Sequence, residues 1–335
     1  MSNLPLTIAC WDYDRTRAIM DGRVKVEGCD VNYLPLAVEE TFFRAFKSAE
    51  FDACELSFST YLLSLSRERD FGIPLPYRAV PAFVSRVFRH SGIYIRTDRG
   101  IRSPADLKGK VVGVPEYQMT AAVWARGMLQ HEYGVKPTDM HWVTGGLKDA
   151  GRKPMMAVTV PGLDIRHEEK KALNDMLVSG ELDAMIAPQL HPAIRAGTGE
   201  VAYLFPDPAK AAREYYAKTK LFPLMHVVVL RRDVYEQHPW VAVSLYQAFC
   251  QAKDNALARL EVEEPPPVSL PWLYNYSEGI RELFGRDYWH YGIEPNRREL
   301  EALCAYVVEQ GLTAVHLKPE ELFAPSVIKL ADYRL

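Results

Sequence analysis

The side chains of this 335-residue chain that could do chemistry are few, and they stand in apolar surroundings. His226 lies inside the run LFPLMHVVVL, residues 221–230. An imidazole ordinarily titrates near neutrality and can give or take a proton. Glu55 ends another apolar run and is followed by Ser57, Phe58, Ser59 and Thr60. A carboxylate withdrawn from water in such a place is a second candidate for acid–base work. These two are the candidate catalytic residues. Arg86 and Arg15 are candidates for a bidentate grip on a carboxylate, whereas Arg89 reads at least as well as a surface arginine. In a regular strand Arg86 shares a face with Val84 and Phe88, and Arg89 shares one with Ser85 and Val87. The two cannot then both face one site, and Arg86 is the preferred anchor.

Residues 108–129, KGKVVGVPEYQMTAAVWARGML, suggest an anion site. Residues 111–114 read as a buried strand that Pro115 stops. Ala121, Trp124, Ala125 and Met128 then fall at helical spacing. Thr120 is the predicted N-cap. A helix start presents unpaired N–H groups and the positive end of the helix dipole. Gln118, Met119 and Thr120 are therefore expected to bind a carboxylate. Glu116 is a weaker rival for acid–base work, expected rather to fix the turn or to meet a lysine. Trp11, Tyr13, Phe58 and Tyr117 are candidates to sandwich an aromatic ring, with packing as the alternative for each. His290 precedes a turn and reads as structural. Asp12, Asp14 and the scattered histidines lack metal-ligand spacing, so no metal is expected.

The elements that must position these residues alternate. Strands are predicted at 6–10, 31–36 and 53–57, with helices at 39–48 (Phe42, Phe43 and Phe46 at core spacing) and 61–68. A long strand-like stretch covers 79–96. A second series holds a helix at 121–132, a strand at 141–143, a helix at 167–179 and a strand at 184–187. The run 221–230 leads to helices at 240–259, 274–284 and 297–310, with a proline-rich link at 265–267. Such alternation implies α/β architecture with largely parallel sheets, whose ligands sit beyond the carboxyl ends of strands. The chain divides into two lobes, 1–98 with 229–335 and 99–228, joined by a hinge with a cleft between them.

The totals exclude several classes. A net charge of −3 with dispersed Lys and Arg argues against nucleic acid or an anionic membrane as partner. No run reaches the ~18 apolar residues of a membrane helix. The five scattered cysteines have no CxxC spacing and do not form a disulfide framework. The first residues lack signal-peptide character, so a cytoplasmic location is expected. Trp272 to Tyr276 and Trp289 hint at a contact between copies in a homo-oligomer.

The link SPADLKGK (103–110) followed by VVGVP resembles the second-lobe entry of type II periplasmic binding proteins. Residues 55–62 (ELSFSTYL), 86–95 (RVFRHSGIYI), 113–129, 221–235 (LFPLMHVVVLRRDVY) and 291–302 (YGIEPNRRELEA) narrow the resemblance. As an ordered set they resemble the 4,5-dihydroxyphthalate decarboxylase family over nearly the whole chain. The resemblance implies a type II periplasmic-binding-protein-like fold and loss of CO2 from a small hydroxylated aromatic carboxylate, without metal or organic cofactor. It raises the standing of His226 as the acid–base group. Residues 189–192 (QLHP) and 152–165 match no family phrase and stand where substrate choice could be made. A non-catalytic binding protein for an aromatic carboxylate is the alternative.

Overall fold

The computed structural model describes residues 2–262, 265 and 267–331; Pro266 of the expected proline-rich link lies outside them. The chain begins β1 (Leu4–Ala9), α1 (Asp14–Met20), β2 (Cys29–Leu34), α2 (Val38–Ser48), β3 (Ala53–Ser57), α3 (Phe58–Phe71) and β4 (Tyr77–Arg86). It continues with β5 (Ile93–Arg96), β6 (Val111–Val114), α4 (Thr120–Tyr133), β7 (His141–Gly145), β8 (Ile165–Glu168), α5 (Leu173–Ser179), β9 (Ala184–Ile186), α6 (Pro192–Ala196), β10 (Val201–Tyr203) and α7 (Pro208–Thr219). It returns through β11 (Leu224–Arg231) and ends in α8 (Arg232–Gln237), α9 (Trp240–Arg259), α10 (Leu273–Phe284), α11 (Arg297–Glu309) and α12 (Pro325–Ala331).

Two sheets result. One has the order β2-β1-β3-β11-β4, the other β10-β5-β9-β6-β7-β8. β1 is parallel to both β2 and β3, and β6 is parallel to both β7 and β9. β11 and β5 run against their neighbours, because each carries the chain back from the other lobe. The stretch expected as one strand over 79–96 is broken. β4 stops at Arg86, a 3-10 turn covers Arg89–Gly92, and β5 joins the other sheet. The sheet changes therefore fall before Ile93 and before Leu224, ahead of the expected divisions at 98 and 228. The helix expected from 167 begins only at Leu173, since residues 165–168 pair with β7. In α2, Phe42 is buried, whereas Phe43 is 55% exposed, one helical step off the core-facing stripe.

Residues 146–164 form a long connection that crosses from the second lobe onto the first. Gly146 opens it, where a Cβ would come 1.7 Å from the Asp149 carbonyl oxygen. Arg67 of α3 donates to the Ala157 carbonyl at 2.7 Å. Arg152 reaches Glu39 of α2 at 3.3 Å. All five cysteines are buried, and none forms a disulfide among the described residues. No helix among the described residues is long and apolar enough to cross a membrane.

His90 sits in the first crossing between lobes, 1% exposed, with neither ring nitrogen bonded among the described residues. It packs edge-on against Phe205 at 5.0 Å and Tyr215 at 5.3 Å. Burial pulls its imidazole down to about 4. An unfolded histidine takes up its proton near pH 6.5, whereas this one stays neutral until about pH 4. Its contribution is thus intact above pH 6.5 and declines as pH falls towards 4, by about 3 kcal/mol. In His90→Phe, urea midpoints measured across this range should lose that part of their acid sensitivity.

Candidate active site

β3 and β11 lie side by side, and their register sets Ser57 opposite His226 and Glu55 opposite Val228. On its other side β11 slips register against β4 on both flanks of His226. Ser57 and Glu55 share one face of β3, so His226 meets Glu55 diagonally across the regular β3–β11 ladder, with Nδ1 2.9 Å from Oε2. Glu55 is fully buried. Its Oε1 accepts the Trp11 backbone N–H at 2.6 Å, and its Oε2 accepts the Tyr13 hydroxyl at 3.1 Å. Burial, with the Glu55 charge adding to it, holds the Tyr13 phenol far above its ordinary value, so it stays a neutral donor. The His226 side chain is 17% exposed. Its Nε2 makes no hydrogen bond among the described residues. The Phe42 ring meets it edge-on at 5.0 Å.

His226 borders a cavity of about 290 Å³ between the lobes. Phe42, Ser57 and Ser85 line one side, Met119, Thr120, Ala121 and Met155 the other, and Arg89 and Arg152 also reach it. The floor is a cluster of hydroxyls that joins the lobes. Ser57 Oγ lies 2.9 Å from Thr120 Oγ1, and the Ser59 hydroxyl donates to the Gln118 carbonyl at 2.5 Å. A larger cavity of about 490 Å³ near α7 and α10 is lined chiefly by apolar groups such as Phe284 and Leu273 and has no paired acid and base.

The helix start lies where it was expected, with its cap one residue earlier. Met119 is the N-cap and gives no side-chain cap bond. The Thr120 and Ala121 N–H groups make no hydrogen bond among the described residues, and both residues border the cavity. The unpaired helix end therefore faces the space beside His226.

The arginines fall out differently from the expectation. Arg86 ends β4 with its side chain wholly buried, turned away from the cavity. It donates to the carbonyls of Phe222 at 3.2 Å and His290 at 2.9 Å, bonds the Asn296 side chain, and lies 3.6 Å from Glu299. It fastens the second crossing to the C-terminal helices. Arg89 faces the cavity instead, because the strand has ended and the 3-10 turn cancels the period of two. It is buried, and among the described residues it is held by the Met225 sulfur, at 3.1 Å from Nε. Burial pulls its guanidinium down to about 10, which leaves it charged at neutral pH. Arg86→Met would strand Glu299 and Asn296 and should cost about 3–5 kcal/mol of stability. A lowered thermal midpoint with an unchanged KM checks this.

The remaining expectations divide. Trp11 is 43% exposed and contributes its backbone to Glu55. Arg15 lies between the Tyr13 and Trp289 rings at 4.1 and 4.2 Å and donates to the Val84 carbonyl. Phe58 packs with Phe83 and Phe323 in the first core, away from the cavity. Tyr117 is in the second core against Trp142, under the Arg126 guanidinium. These two rings were candidates to meet the ligand, and of the two readings given for them packing is the one that holds. Gln118 donates to Glu116 at 2.7 Å and to the Met156 carbonyl, behind the cavity wall. Glu116 indeed fixes the turn, accepting from Arg152 at 2.8 Å. Gln189, from the unmatched 189–192 segment, reaches the cavity. Arg152 and Met155, from the unmatched 152–165 segment, reach it too, whereas Phe42, Ser85 and Glu39 border the site without having been named for it. For Phe42 the helical pattern marked burial, and burial alone does not separate core from cleft.

A protein from Comamonas testosteroni named 4,5-dihydroxyphthalate decarboxylase is 43% identical over 331 residues, 98% of this chain and 99% of that protein. The chain belongs to the 4,5-dihydroxyphthalate decarboxylase family. A Pseudomonas putida protein of the same name is 45% identical over 219 residues, 64% of this chain and 83% of its own length. Residues 60–162 match the family model described as NMT1/THI5 like. That span contains α3, β4 to β7 and the α4 start, so it includes much of the cavity. Among solved structures, the alkanesulfonate-binding protein SsuA from Xanthomonas axonopodis pv. citri superposes with a TM-score of 0.52 at 11% identity, over 97% of this chain and 98% of its own. The desulfurization enzyme DSZB in complex with biphenyl-2-sulfinic acid gives 0.53 at 16%, over the whole of both chains. The family member described here thus has the two-lobed type II periplasmic-binding-protein-like fold.

Proposed function

We propose that this chain is a carboxy-lyase that converts 4,5-dihydroxyphthalate to 3,4-dihydroxybenzoate and CO2, with its chemistry at the Glu55–His226 pair. The observation that carries the activity is the 43% identity to a decarboxylase of that name across 98% of the chain. A binding protein alone would need the anion grip, but not a buried carboxylate held against an imidazole in the same cleft.

Direct loss of CO2 from an aryl carboxylate would leave a ring carbanion. Protonating the ring carbon first avoids it. The hydroxyl para to the departing group supplies electron density to that carbon. Glu55 orients the imidazole through Nδ1 and balances its charge when it is protonated. The Nε2 face, free of other bonds, delivers the proton to the ring carbon. The C–C bond then breaks, CO2 leaves, and its electron pair restores the aromatic ring. His226 regains one proton from water in each turnover. Arg89 and the first N–H groups of α4 hold the retained carboxylate, and the hydroxyls of Ser57, Ser85 and Thr120 face the catechol. Phe42 and the methionines keep the reacting ring out of bulk water.

We place this enzyme in the cytoplasm, where fractionation of the native host would find it, and leave self-association to the exposed Trp272 and Tyr276. The deciding experiment for function is incubation of the purified protein with 4,5-dihydroxyphthalate, following CO2 release and the appearance of 3,4-dihydroxybenzoate. Tight binding without product would favour the binding-protein reading.

A further inference from the structure

The two guanidiniums at the cavity differ in what already holds them. Arg89 has no carboxylate partner among the described residues. Arg152 has two. Its Nη2 lies 2.8 Å from Glu116 Oε1 and its Nη1 3.3 Å from Glu39 Oε2. Glu116 is 2% exposed and is further fixed by Gln118 and by the Met155 backbone N–H at 3.3 Å. When all three are ionised, Glu39, Arg152 and Glu116 carry one net negative charge. Val38, Phe42, Met119 and Met225 make the neighbouring wall apolar.

We propose that Glu39 and Glu116 withhold Arg152 from the substrate. The cavity then grips one carboxylate of an aromatic 1,2-dicarboxylate, at Arg89 and the α4 start, and leaves the other without a guanidinium. The ungripped carboxylate is the one lost. This rests on the decarboxylase reading above. 4,5-Dihydroxyphthalate is symmetric, so the site and not the substrate selects the carboxylate that leaves. A carboxylate set against a net negative group and apolar side chains is raised in energy, and becoming neutral CO2 relieves it. A cation paired with it would favour the ground state over the transition state and slow the step. The same asymmetry ends the reaction after one round. The product keeps its gripped carboxylate and carries hydrogen where the other stood.

Glu39→Gln in the full-length enzyme tests this, since Glu39 is exposed and its loss partly frees Arg152. The probes are phthalate, which lacks the activating hydroxyls, and 3,4-dihydroxybenzoate, which lacks the second carboxylate. Titration calorimetry should show phthalate binding roughly fivefold tighter to the variant. The 3,4-dihydroxybenzoate affinity should stay within about twofold. With 4,5-dihydroxyphthalate, KM and kcat should fall together, and Glu39→Asp should restore both. Unchanged phthalate affinity overturns the proposal, and so does equal tightening of both probes, which would be a general charge effect. Failure of the wild type to release CO2 would refute the decarboxylase reading alone, because the two probe affinities still test whether Arg152 is withheld.

Discussion

His226→Ala should lower kcat for 4,5-dihydroxyphthalate by about 10²–10⁴-fold, the usual contribution of a positioned acid–base group. Binding of 3,4-dihydroxybenzoate should change little, because the carboxylate grip is on other residues. Glu55→Gln should follow the same pattern with a smaller loss. The amide keeps the shape, but its single oxygen cannot accept from both the Trp11 N–H and the Tyr13 hydroxyl, and it cannot balance an imidazolium. Stopped-flow measurement of product formation separates this loss from slow release. Full turnover in either variant would remove that residue from the proton path. Equal losses in kcat and in product affinity would instead mean that the pair only shapes the pocket.

Arg89→Met should act on binding. The native guanidinium is buried, and among the described residues its hydrogen-bond partner is a thioether, a weak acceptor, so a substrate carboxylate would be its first strong partner. Removing it should cost about 2–5 kcal/mol of binding, roughly 30-fold to several-thousand-fold in Kd for both substrate and product. Methionine fills much of the space, so the fold should hold, in contrast to Arg86→Met. Arg89→Lys should recover only part of the affinity, since an ammonium cannot make the two parallel bonds of a guanidinium. Calorimetry with 3,4-dihydroxybenzoate reads the effect without turnover. An unchanged Kd would move the anchor to the α4 start alone.

These two variants bear on what can be read from a chain of residues. Glu55 and His226 stood out because each is a titratable group in an apolar run, and the adjacent strands bring them to 2.9 Å. The strand-to-helix turn before Thr120 was equally legible, since Pro115 and the helical spacing mark both of its ends. The choice between Arg86 and Arg89 was not. It depends on where β4 ends, and a 3-10 turn that starts at Arg89 reverses which side chain faces the cleft. Phe58 and Tyr117 were misplaced for a related reason. An aromatic next to a strand end packs equally well below the cavity floor or above it, and only tertiary contacts decide. The Glu39–Arg152–Glu116 group could not be foreseen, because it joins a helix of one lobe to a loop 113 residues later in the other.

The crossings themselves constrain how the lobes move. The Val87 N–H donates to the Pro223 carbonyl at 3.2 Å, and the Phe88 and Phe222 rings stack at 4.8 Å. The two connections are thus zipped into one short ribbon. Such a ribbon bends across its flat face far more easily than it shears along its length. Any opening of the cleft about that ribbon has to break the buried Ser57–Thr120 and Ser59–Gln118 contacts as well as the Arg152–Glu39 pair, so these bonds hold the two lobes together at the cavity.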